Sequence, residues 1–229
     1  MAAVNMAAPG VVARSGHLKG EDYSHFYVLG RLAHEGRVAW LYDTAAQARY
    51  LPTAIPGAPT TYFIPVYGPQ VALFFQPFAS VPYLPSLALW TIASAALYLG
   101  SCFGVWRRLE RLRPYRTEVA ILAIGSPALW QLILHGQNSA VAVASLTGGW
   151  LCLRARRHVL AGLALGLRFY KPQLALAAVV AQALTGRWVV VASMAACTLI
   201  QLASCISRSD RARSSSTSAC SGALPRSCR

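Results

Sequence analysis

Apolar residues arrive in long uninterrupted blocks, and arginines separate the blocks. Residues 86–106 carry no charge over 21 positions and run into Arg107, Arg108, Arg111, Arg113 and Arg116. A helix rising about 1.5 Å per residue needs about 20 apolar residues to cross roughly 30 Å of hydrocarbon, so this block predicts a membrane span. Residues 119–153 contain no Asp, Glu, Lys or Arg, and His135, Gly136, Gln137 and Asn138 interrupt them near the middle. Turn-forming residues at that place predict a helical hairpin with arms over 117–134 and 139–153. Its far end meets Arg154, Arg156 and Arg157. Two crossings separate the arginine clusters, so both fall on one side, which the positive-inside rule makes the cytoplasm; the hairpin tip then faces outward. Residues 188–206 form a last uncharged block. Between these, 159–185 is interrupted by Arg168, Lys171 and Pro172, leaving halves too short to span alone and predicting a kinked or re-entrant element.

Ahead of residue 86 the pattern changes, because eight of the thirteen prolines fall between Pro52 and Pro85. That density predicts no regular helix over 51–69. The interleaved Tyr50, Tyr62, Phe63, Tyr67, Phe74, Phe75, Phe78 and Tyr83 suit rings lying at headgroup depth, so 17–68 reads as an extracytoplasmic loop on the outer leaflet. Within it, Tyr23, Phe26, Tyr27, Gly30 and Ala33 recur at helical spacing and Gly36 is placed to end the turn, predicting a short amphipathic helix over 22–35. Both ends depart from this order. Residues 1–13 are apolar but too short to span, and 207–229 hold eight serines, five arginines and two cysteines. The abrupt shift after Ile206 predicts a disordered tail of the kind a reading-frame change produces, behind a partial membrane domain over 1–206.

Composition agrees with the pattern. Charged residues make up 12% against 55% hydrophobic, with a mean hydropathy of +0.43, where a soluble domain carries about 25% charged residues. The fold class is therefore an all-α multi-pass membrane protein. The net charge of +14 would suggest nucleic acid in a soluble chain, but these cations flank apolar blocks, so no nucleic-acid partner is expected and the bilayer is. The six cysteines show neither CxxC nor Cys/His spacing, so no disulfide framework, metal site or cofactor is expected.

Few residues are left to carry chemistry. Glu21, Asp22, His25, His34, Glu35 and Asp43 in the first loop, His135, Gln137 and Asn138 at the hairpin tip, and Lys171 are the outward inventory. Asp22, at a membrane boundary beside an aromatic loop, is placed to accept a proton from a sugar hydroxyl, or alternatively to cap the following helix. His25 lies three residues on, where it shares the Asp22 face and either orients the carboxylate or packs. Lys171 within apolar sequence either meets an anion such as a lipid phosphate or snorkels to the headgroups. Gln137 and Asn138 offer amides to sugar hydroxyls or make a plain turn.

With these residues in view the chain resembles a known family. Gly20-Glu21-Asp22-Tyr23-Ser24-His25-Phe26-Tyr27, Gly36, Leu41-Tyr42-Asp43, Val66-Tyr67-Gly68-Pro69-Gln70, Gly136-Gln137-Asn138-Ser139, Ala161-Gly162-Leu163 and Tyr170-Lys171-Pro172-Gln173 follow in the order and spacing of glycosyltransferase family 87, the DUF2029 family. The resemblance implies a GT-C-like transmembrane bundle in the bacterial inner membrane. It implies an inverting hexosyltransferase that moves mannose from a polyprenyl-phosphate donor to an extracytoplasmic glycan or glycolipid acceptor, with no cofactor. On it, Asp22 is the catalytic base, Lys171 holds the leaving phosphate, and Tyr67, Gln70, His135, Gln137, Asn138 and His25 bind substrate. Family members carry a preceding helix and further spans, so the resemblance also implies a shortened member of reduced or absent activity. Two rival expectations remain: a transporter or lipid-binding protein with a broken-helix site, and a structural partner in an envelope complex.

Overall fold

The structure is a computed structural model that describes residues 7–61, 63–64 and 66–221, with side chains described as far as Arg208. Among the described residues the only β pairing is a single bridge from Val12 to Leu18; everything else regular is helical. The elements, in chain order, are α1 (Glu21–His34), α2 (Thr44–Ala54), α3 (Pro69–Phe75), α4 (Tyr83–Arg108), α5 (Arg116–Gly125), α6 (Pro127–His135), α7 (Ser139–Arg154), α8 (His158–Gly166), α9 (Pro172–Leu184) and α10 (Trp188–Ser221).

Two helices are long and apolar enough to cross a membrane, α4 and the 188–208 part of α10. In α4 the arginines at 107 and 108 occupy the last turn, where cations complement the helix dipole. The expected span over 117–134 is two helices bent by 41° at Ser126 and Pro127. Proline occupies the first position of α6 and the Ser126 hydroxyl accepts from the Ala128 N–H at 3.3 Å, so a new helix starts there instead of continuing the old one. The expected span over 139–153 is α7, 16 residues long and thus about 24 Å at helical rise, shorter than a full crossing. Over the element expected at 159–185, α8 passes through a 3-10 turn at Leu167–Tyr170 into α9, whose first residue is Pro172.

Helices α8 and α10 touch along a face of glycines. A Cβ added to Gly162 would lie 2.5 Å from the Val190 carbonyl oxygen, and one added to Gly166 would lie 2.7 Å from Cys197 Cβ. Gly162 and Gly166 are four apart, so both sit on one side of α8 and let the backbones approach closely, the usual solution where lipid gives no hydrophobic drive to helix pairing.

The proline-rich region is more ordered than its sequence predicts. Helix α2 runs through Pro52, which has no N–H to offer the Ala48 carbonyl four residues back. Asp43 caps α2, its Oδ1 accepting from Ala46 N–H at 2.9 Å. The rings expected at headgroup depth are mostly core: Tyr50, Phe63, Phe75 and Tyr83 are buried, while Phe74 stays half-exposed. They cover α1, whose Tyr23, Phe26 and Tyr27 are buried as well. Phe26 stacks on Phe75 at 4.9 Å, Phe75 meets Trp90 edge-on at 4.7 Å, and the Trp90 indole donates to the Gly136 carbonyl at 2.9 Å. This aromatic cluster fastens the first loop and the hairpin tip to the start of α4. Gly136 is indispensable there: its φ of 66° is left-handed, and a Cβ would meet Tyr23 Cβ at 2.5 Å. At the other end, α10 continues helical past Ile206 to Ser221, overlapping the expected tail; residues 222–229 of that tail lie outside the described residues.

Candidate active site

The aromatic cluster brings three separate backbone features to one place: the first turn of α1, the hairpin tip, and the break between α8 and α9. They enclose a polar cavity of about 370 Å³ lined by Glu21, Asp22, His25, Phe26, Thr61, Phe63, Ile64, Val66, Tyr67, Gln137, Asn138, Ser139 and Lys171. Six of the eight residues read from the sequence as a site, namely Asp22, His25, Tyr67, Gln137, Asn138 and Lys171, converge here. A larger cavity of about 570 Å³ between α3, the 3-10 turn at Val38–Tyr42 and the 205–208 part of α10 is lined by mostly apolar residues with Arg37 and Arg208, and among the described residues no carboxylate lines it.

Asp22 is half-buried in the first turn of α1. It does not cap the helix: the N-cap is Gly20, with left-handed φ of 65°, and no side-chain capping bond is made there. The Asp22 carboxylate is therefore left for the cavity, where its charge acts on His25, Tyr67 and Lys171. Glu21, also at the rim, is exposed and lies 3.9 Å from His17. Lys171 takes its place from the chain break. Its backbone N–H bonds Arg168 O at 2.9 Å, closing the 3-10 turn, and its Nζ lies 5.7 Å from the Tyr170 ring centre, in cation–π range. The Tyr170 hydroxyl in turn donates to Asn138 O at 3.1 Å, tying the break to the hairpin tip. The Asp22 charge favours the protonated Lys171 ammonium against the cost of its burial, and among the described residues no ion pair joins the two.

His25 is 8% exposed and stacks on Phe63 at 4.7 Å, the rings 1° from parallel. Burial pushes its imidazole down to about 4, and the opposing pull of the Asp22 carboxylate is smaller. It is thus neutral at pH 7, a hydrogen-bonding ring and not a cation. Among the described residues its Nε2 has no partner, and neither has Asn138 Nδ2, on a residue 4% exposed. Both residues line the cavity, and a buried polar atom without a partner is costly. Burial also raises the Tyr67 phenol above its ordinary range; Asp22 adds to this, and the nearby Asn138 amide opposes it. The phenol stays protonated and can donate.

The neutrality of His25 makes a stability prediction. Its folded value lies below the unfolded 6.5, so the native state refuses a proton that the unfolded chain accepts. Stability is then complete above pH 6.5 and lost as pH falls toward 4, by about 2 kcal/mol at pH 5. Thermal unfolding in detergent at pH 7 and pH 5 should show this loss, and His25→Asn should shrink it; equal losses in both proteins would refute the assignment.

Two residues read as part of the site stand elsewhere. Gln70 lies in the first turn of α3, folds back over Gly68, and lines a neighbouring apolar groove of about 380 Å³ that touches the site only through Asn138. His135 closes α6 before the left-handed Gly136 turns the chain, so it does not share a face with Gln137; its Nδ1 is buried and unpaired. Conversely, Phe63, Thr61 and Ser139 line the cavity without having stood out as site residues. Ser139 follows Asn138 directly, and the spacing of the turn could have suggested it.

These features define a class: a helical membrane protein with a carboxylate, an ammonium group and unpaired hydrogen-bonding groups gathered in a polar cavity at one end of its bundle. A model of glycosyltransferase family 87 matches residues 65–207, and the chain belongs to that family; it is a membrane glycosyltransferase. The match covers Tyr67, Gln137, Asn138 and Lys171, while Asp22 and His25 precede it. No curated protein and no solved structure matches the chain.

Proposed function

We propose that the chain moves a hexose, mannose by family resemblance, from a polyprenyl-phosphate donor to a glycan or glycolipid acceptor on the extracytoplasmic side of a bacterial inner membrane. The observation that carries this reading is the meeting of Asp22 and Lys171, unpaired, in one cavity walled by hydrogen-bonding groups. The reaction is a single inverting displacement. Asp22 takes the acceptor hydroxyl proton as that oxygen bonds the anomeric carbon, and the bond from that carbon to the phosphate oxygen breaks. The electron pair leaves with the polyprenyl phosphate, whose added negative charge Lys171 offsets. Tyr67, His25, Gln137 and Asn138 hold the sugar hydroxyls. The cavity lies at the start of α4 and the arginines at its end, which supports an outward-facing site under the positive-inside rule.

A transporter-like reading asks for two broken helices around one site. A second break does exist, between α5 and α6, but neither Ser126 nor Pro127 lines the cavity. The test is transfer of label from radiolabelled polyprenyl-phosphate-mannose by membranes carrying this chain, against membranes without it. Label should pass to a lipid or glycan acceptor. Transfer from a soluble nucleotide sugar with none from the lipid-linked donor would overturn the proposal.

A further inference from the structure

At the opposite end of α4 from the cavity, α4 and α5 diverge around an apolar groove of about 470 Å³. Leu99, Phe103 and Trp106 form one wall, Val119 and Ile124 the other, with Arg116 at the mouth. The groove opens sideways: Phe103 and Ile124 are 54% and 56% exposed, on helices that face hydrocarbon. The mouth is unlike the trough. Arg116 lines it, Arg107, Arg108, Arg111 and Arg113 lie in the last turn of α4 and the connection that leads to Arg116, and among the described residues no ion pair joins any of them to Glu110 or Glu118. The Trp106 ring lines the trough at the same level, its buried indole N–H without an acceptor among the described residues. A cation without an ion-pair partner at the mouth of an apolar trough fits a molecule with an acyl chain and an anionic head, and dense arginine at a span end attracts acidic lipid.

We propose that this groove is a binding site for one anionic phospholipid. An acyl chain lies along Leu99, Phe103 and Ile124, and the phosphate accepts from the Arg116 guanidinium, with Trp106 at headgroup depth. A neutral partner helix would cover the trough but leave the Arg116 guanidinium at its mouth uncompensated, so charge decides for the lipid. No bond is made or broken, and the site is separate from the transfer cavity and independent of its assignment.

Native mass spectrometry of the full chain in mild detergent tests it, with phosphatidylglycerol and phosphatidylcholine of equal chain length titrated in turn. The wild type should hold one phosphatidylglycerol about fivefold more tightly than phosphatidylcholine, the equivalent of ~1 kcal/mol for a basic residue at an anionic surface. Arg116→Gln should remove that preference and leave phosphatidylcholine binding unchanged, while Ala120→Trp, which fills the groove, should weaken both. Arg157→Gln, in another arginine cluster, should change neither. Equal affinity of the wild type for the two lipids overturns the proposal without needing any variant. So does an equal loss in Arg157→Gln and Arg116→Gln, which would mean diffuse charge attraction only.

Discussion

Replacing Asp22 by Asn should reduce transfer from the lipid-linked donor by a factor of about 10²–10⁴, the range contributed by a positioned general base. The amide keeps the size of the carboxylate and cannot take the acceptor proton. Asp22 bears no capping bond, so helix α1 should fold unchanged and the loss should appear in kcat. Donor KM should move little, because Tyr67, Gln137 and Asn138 still line the cavity. Glu21 supplies the internal control. It is the neighbouring carboxylate at the rim, but it is exposed and paired loosely with His17, so Glu21→Gln should retain most activity. Radiolabel transfer by membranes with matched amounts of each variant decides. An Asp22→Asn protein keeping a tenth or more of wild-type rate, or a Glu21→Gln protein losing as much as Asp22→Asn, would remove Asp22 from the role of base.

The parts of this arrangement that sequence makes legible are those set by local chemistry. The uncharged blocks give α4 and the membrane part of α10, since only length and the lack of charge matter there. Lys171-Pro172 gives the break before α9, and Gly136 the tip of the hairpin. Asp22 is legible as chemistry because few other acids compete for the role. What escapes is what depends on distant partners. A tyrosine or phenylalanine reads alike whether it meets headgroups or a buried helix, and only the fold shows that Phe63 stacks on His25 and Phe75 on Phe26. Pro127 is visible in sequence, yet whether it kinks one helix or starts another depends on the Ser126 cap. Gln70 and His135 carry suitable chemistry at suitable spacing, but the turn at Gly136 and the fold of Gln70 over Gly68 send them elsewhere. The close face made by Gly162 and Gly166 was present as two glycines one helical turn apart, and its partner α10 was not.

Lys171 carries the second large effect, and it separates leaving-group chemistry from proton transfer. On the proposed reaction, charge builds on the phosphate as the bond to the anomeric carbon breaks, and a cation already fixed beside it offsets that charge without the reorganisation water would need. The ammonium group is already positioned, by the Arg168 backbone turn and the Tyr170 ring, so little reorganisation is needed at the moment of reaction. Lys171→Met should therefore lower kcat by about 10²–10³, with a smaller rise in donor KM because the ground-state phosphate already carries charge. Lys171→Arg should recover part of the rate, limited by a planar head that no longer fits over the Tyr170 ring in the same way. A donor whose departing phosphate is a weaker base needs less stabilisation, so a polyprenyl-pyrophosphate sugar should narrow the gap between Lys171→Met and wild type while leaving Asp22→Asn as impaired as before. If both variants respond equally to that donor, Lys171 binds substrate without assisting departure, and the division of labour between acid and cation fails.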